Sequence, residues 1–122
     1  MAKPKPIRLQ LEGKALYDGR HLVEWASEVA GIIAERFDVT RIVLFGSVAR
    51  GDDGPDSDID LLVVLPIVGR RHDAAVSIMT ELRGIPVPVD LVVVDSARFD
   101  EQARIPGIVR VAMREGRDLA TS

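Results

Sequence analysis

Cysteine is absent from the 122 residues, which excludes disulfides, thiolate catalysis and thiolate metal sites and fits a reducing compartment. Zinc would have to rely on His21 and His72 together with carboxylates. No apolar run approaches the roughly 20 residues that a membrane helix needs, and Met1 to Pro6 contains no apolar core of a signal peptide. The expected location is therefore the cytoplasm, without membrane association. Excess positive charge is missing as well: the formal charge is -3 and the pI about 5.3. The chain as a whole has no electrostatic attraction to nucleic acid or anionic lipid, which disfavours a dedicated DNA binder. No repeat, linker or low-complexity tract interrupts it.

What remains is a globular composition, 47% hydrophobic and 29% charged, of a length that suits one core. Residues 1–20 are read as an N-terminal arm, with Ile7, Leu9 and Leu11 at strand spacing, and residues 21–122 as one domain. From Asp18, a plausible N-cap, to Phe37, the positions Leu22, Trp25, Ala26, Val29, Ile32 and Ile33 recur at helical steps. Thr40–Phe45 reads as a buried strand that ends in a turn at Gly46, with a short helix from Ser47 to about Arg50. Asp58–Leu65 reads as a second strand, 70–83 as a helix with Met79 in its core face, Val87–Val94 as a third strand, and Pro106–Gly116 as a helix after an irregular segment. Asp95 is expected to cap a helix. The alternation predicts an α/β or α+β fold, a small mixed sheet with helices mainly on one face.

The chemistry lies in two runs, Leu44-Phe45-Gly46-Ser47-Val48-Ala49-Arg50-Gly51 and Ser57-Asp58-Ile59-Asp60-Leu61. Side chains alternate along a strand, so Asp58 and Asp60 point the same way while Ile59 and Leu61 face the core. Two carboxylates on one face repel each other unless a cation sits between them, and all-oxygen ligation suits Mg²⁺ or Mn²⁺. Gly46 permits close backbone approach, and Ser47 opens a short helix whose free N–H groups favour phosphate. Asp90 supplies a third carboxylate where an acidic residue interrupts the apolar strand Val89-Asp90-Leu91. Arg50 is a candidate phosphate contact, with a structural or solvated role as its counterpart.

Two other motifs fail. Gly46 and Gly51 have P-loop spacing, but Asp52 and Asp53 stand where Lys and Ser/Thr are required. Asp56, Asp58 and Asp60 match the start of an EF-hand loop, yet Leu61 replaces its glycine and Ile67 its glutamate. Asp52, Asp53 and Asp56 are better read as turn formers, and Arg70, Arg71 and His72 as a solvated helix start.

The run from Phe45 to Leu61, with ten residues between Ser47 and Asp58, resembles the signature of the DNA polymerase beta-like nucleotidyltransferases. In detail, Gly-Ser-Val-Ala-Arg-Gly followed by Ser-Asp-Ile-Asp-Leu is similar to the minimal nucleotidyltransferases, small proteins often encoded beside a HEPN-type toxin for which they serve as antitoxin. The resemblance implies the polymerase beta-like fold, a nucleoside triphosphate held at Gly46 and Ser47, and metal ions at Asp58 and Asp60. It further implies that Asp90 shares the metal near an attacking hydroxyl, with ATP as donor and a toxin tyrosine as acceptor. The chain departs from the pattern near its end, where Leu119-Ala120 replaces a common Leu-Tyr. Two other functions fit parts of the pattern: a non-catalytic nucleotide- or toxin-binding module, and a transferase acting on a small molecule such as an aminoglycoside. The second normally needs an additional substrate domain. The apolar residues Ile108, Val109, Val111 and Met113 are candidates for a docking surface.

Overall fold

The computed structural model describes Lys14, residues 16–66 and residues 69–121; the possible strand at Ile7–Leu11 lies outside these. The element order is α1 (Leu22–Arg36), β1 (Arg41–Phe45), α2 (Gly46–Arg50), β2 (Ile59–Leu65), α3 (Arg71–Glu81), β3 (Val89–Asp95), α4 (Ser96–Arg104), α5 (Ile108–Glu115) and β4 (Arg117–Thr121). One four-stranded sheet runs in the order β3-β2-β1-β4. β2 and β3 are parallel, and β1 is antiparallel to both β2 and β4. The mixed sheet expected from the alternation of elements is thus present.

Alternation of side chains divides the core in two. Ile42, Leu44, Ile59, Leu61, Val63 and Val93 project to one face, where α1 covers them with Leu22, Trp25, Ala26, Val29 and Ile33, and α3 adds Ile78. Val43, Phe45, Leu62, Val64 and Val94 project to the other and meet Val109 and Ala112 of α5. Covered on both sides, β2 is buried at every position except Asp60, which explains its nearly unbroken apolar run. The lone polar position in that run is therefore placed there against the trend of burial.

Several local expectations are corrected. Asp18 does not cap α1: it occupies a tight turn at φ 51°, closed by the Tyr17–Arg20 bridge, and the helix starts after His21, whose N–H donates to Glu24 Oε1 at 3.4 Å. Met79 is 41% exposed, because the inward stripe of α3 passes through Ile78 and continues to Leu82. The segment after β3 is not irregular but helical, and Asp95 caps it by accepting from Ala97 N–H at 3.0 Å. β4 was not expected; Arg41 of β1 holds it through a bidentate pair with Asp118, at 2.6 and 2.9 Å. Leu119 and Ala120 are buried in this strand instead of ending a helix. Among the described residues no helix is long and apolar enough to cross a membrane.

Candidate active site

The parallel pairing of β2 with β3 sets Asp60 directly opposite Asp90. Neighbouring strands lie about 4.8 Å apart, so the two carboxylates leave adjacent backbone positions on the same face. The β2 entrance is locked to β3 by Ile59 N–H donating to Pro88 O at 3.0 Å, with Asp58 immediately before it. Asp60 is half-buried, whereas Asp58 and Asp90 are exposed. Burial holds the Asp60 carboxyl above its ordinary pKa; Asp90 and then Asp58 push it further, and Arg50 opposes them. Asp60 and Asp90 therefore share one face, and Asp58 acts on the same Asp60 carboxyl.

Across the sheet, Phe45 pairs with Asp60, so the next residue, Gly46, meets the same carboxylate. Gly46 has φ 75°, and a Cβ there would overlap Asp60 Oδ2. Glycine is needed on both counts, for backbone hand and for space. The five-residue α2 is anchored by buried Val48 and Ala49 and ends at Gly51 in the left-handed conformation, which leaves Ser47 and Arg50 half-buried and exposed on the open side.

Glu115, which was not among the expected site residues, also reaches this loop. Its Oε1 accepts from Gly46 N–H at 3.1 Å, and Arg50 Nη1 donates to both its oxygens, at 3.1 and 3.2 Å. Arg50 Nε donates to Asp52 Oδ2 at 3.2 Å, so the guanidinium is held beside the loop by two carboxylates. An open cleft of about 390 Å³ lies next to Glu115, lined also by Val111 and Arg114. A faint clue was Glu115-Gly116: a Cβ on Gly116 would overlap Ala112 O and Val43, so glycine seats the end of α5 against β1.

A second unexpected contribution precedes α1. Lys14 Nζ donates to Gly51 O at 2.9 Å and Asp53 O at 2.8 Å and pairs with Asp53 Oδ1 at 3.3 Å. Tyr17 Oη donates to Pro55 O at 2.8 Å. Together they hold the turn that links the Gly46 loop to Asp58.

Residues 26–119 match the nucleotidyltransferase domain family. The chain belongs to this family. A solved protein described as a minimal nucleotidyltransferase is 31% identical, with 79% of this chain and 90% of that chain covered and a TM-score of 0.54. A second solved structure, from Sulfolobus solfataricus and described as a nucleotidyltransferase, is 28% identical over 78% of this chain and 76% of its own, with a TM-score of 0.55. A toxin-antitoxin complex with AMP-PNP shares the fold at 21% identity and a TM-score of 0.60, covering 80% of this chain and 73% of that one. No curated protein matches the chain.

In this nucleotidyltransferase the acidic face offers oxygen donors alone, the chemistry that suits a hard divalent cation. The side chains of Asp58, Asp60 and Asp90 do not close into a three-donor cluster, and no other such group occurs among the described residues. His72 and its neighbours Arg70 and Arg71 belong to the start of α3, beyond the far end of β2. Seven strand residues, roughly 20 Å, lie between them and Asp58, so this basic cluster is remote from the acidic face.

Proposed function

We propose that this nucleotidyltransferase moves AMP from ATP to a hydroxyl of a partner protein, in a reaction that depends on Mg²⁺ or Mn²⁺, and acts as the antitoxin of a HEPN-type toxin. The observation that carries the reading is the meeting of Gly46 with Asp60 and of Asp60 with Asp90, which joins a phosphate loop and an acidic face in one site. Gly46 and Ser47 hold the triphosphate, and Arg50 is the cation on the same side. Asp58 and Asp60, with Asp90, would hold the metal, which would supply positive charge to the phosphates and to the attacking and leaving oxygens. Asp90, exposed on β3, faces the acceptor and takes its proton. The acceptor oxygen then bonds to the α-phosphorus as the bond to the bridging oxygen breaks and pyrophosphate leaves.

A protein acceptor is supported by what the fold leaves uncovered. Among the described residues Asp58 and Asp90 are left exposed, and the apolar Ile105, Ile108 and Val111 are 52%, 49% and 45% exposed, with Val111 lining the cleft at Glu115. Such apolar residues suit a macromolecular surface; Val109, by contrast, belongs to the core and is removed from the expected docking set. The shared fold with a toxin-antitoxin complex that holds AMP-PNP agrees with this partner class.

The test is to incubate the chain with the product of its neighbouring gene, ATP and Mg²⁺, and to weigh both chains by mass spectrometry. A gain of one or more AMP units on the partner, absent with Asp90→Ala, supports transfer. Stable association without a mass change replaces the enzyme by a binding module.

A further inference from the structure

Glu115 is an anion placed where the proposed function wants an anion. One carboxylate engages both the Gly46 amide and the Arg50 guanidinium, and it is only 25% exposed. The same charge raises the proton affinity of Asp60, so it adds to a face already crowded with carboxylates. A neutral amide oxygen would still accept from Gly46 N–H and from Arg50 Nη1, losing only the bond that Arg50 makes to Oε2. Glu115 is not free to drift, since Val109 and Ala112 are buried and Gly116 is packed without room for a side chain.

We propose that Glu115 is an internal phosphate mimic that sets nucleotide affinity: it occupies the Gly46 amide and positions Arg50 in the nucleotide-free protein, and a triphosphate takes both donors by displacing it. The inference rests on the nucleotidyltransferase site described above. A phosphate oxygen that enters must break charge-assisted hydrogen bonds, which are about twice as strong as neutral ones. It must also approach a like charge. Both costs fall when the carboxylate becomes an amide.

The experiment is calorimetric titration of Mg·ATP, and separately of Mg·tripolyphosphate, into wild type, Glu115→Gln, Arg50→Gln and the double variant. Glu115→Gln is expected to bind both ligands about tenfold more tightly, because hydrogen bonds involving charge exceed neutral ones by that order. The gain should shrink when Arg50→Gln is also present, since part of it comes from releasing that guanidinium. Glu115→Ala, which removes the acceptor altogether, must shift affinity in the same direction, and melting curves establish that each variant is folded. Affinity equal to or weaker than wild type in both Glu115 variants overturns the inference alone and makes Glu115 a structural support of the loop. A wild-type chain that binds neither ligand overturns the proposed function, and the inference with it.

Discussion

Asp60 and Asp90 stand opposite each other in the parallel β2–β3 register, the only strand pair of the described sheet that brings two carboxylates side by side. The arrangement is unfavourable for the chain alone, so its removal separates folding from chemistry. Replacing Asp58 and Asp60 with Ala should abolish nucleotide transfer and leave the melting temperature of the metal-free protein unchanged or higher. Radiolabel transfer and thermal melting check the two halves, and a double variant that transfers at the wild-type rate removes these residues from the mechanism.

The pH dependence of stability follows from the same pair. Burial, Asp90 and Asp58 raise the pKa of Asp60 in the folded chain, so the folded state binds protons more readily than the unfolded one. Stability therefore falls as pH rises from the ordinary carboxylate value through the raised one, and the penalty persists above it. In metal-free buffer Asp60→Asn should melt higher than wild type at neutral pH and lose that advantage in acid. Parallel melting profiles at all pH values would show that Asp60 carries no such penalty.

Gly46→Ala should damage both fold and site. A left-handed backbone costs a non-glycine residue roughly 1–2 kcal/mol, which corresponds to a fall in melting temperature of about 4–8 °C for a domain of this size. The added Cβ also displaces the Asp60 carboxylate, so nucleotide affinity should drop by more than the loss of stability explains. Unchanged ATP affinity in the folded fraction would separate Gly46 from the site.

Lys14→Ala and Tyr17→Phe remove the bonds that hold the turn ahead of Asp58. Misplacement of a reacting group by about 1 Å can cost on the order of a hundredfold in rate. Turnover is expected to fall at least several-fold in Lys14→Ala, with a melting temperature lowered by only a few degrees. Wild-type turnover in both variants would make this contact incidental.

Much of the arrangement was legible because it is local. The period of α1, the β-branched runs of β1 and β2, and the Gly46-Ser47 and Asp58-Ile59-Asp60 spacings each lie within a few residues of one another. α4 carried only a weak pattern: Asp95 announced a cap, but Ser96–Arg104 buries no residue fully and only Phe99 and Ala103 pack against the core. β4 is five residues long and takes its place from pairing with β1, not from its own alternation. Glu115 reaches Gly46 from 69 residues away and Lys14 reaches Asp53 from 39. Contacts of that separation arise only once the sheet is assembled, and no short-range pattern encodes them.

The central claim, a triphosphate bound through metal against Asp58, Asp60 and Asp90, is tested most directly by titrating ATP into the protein with Mg²⁺ and again with excess chelator. Triphosphate and three carboxylates repel each other when no cation intervenes. Binding should be clear with Mg²⁺, collapse in chelator, and be lost in Asp60→Asn with Asp90→Asn. Equal ATP affinity with and without the divalent ion would contradict a metal-bridged site.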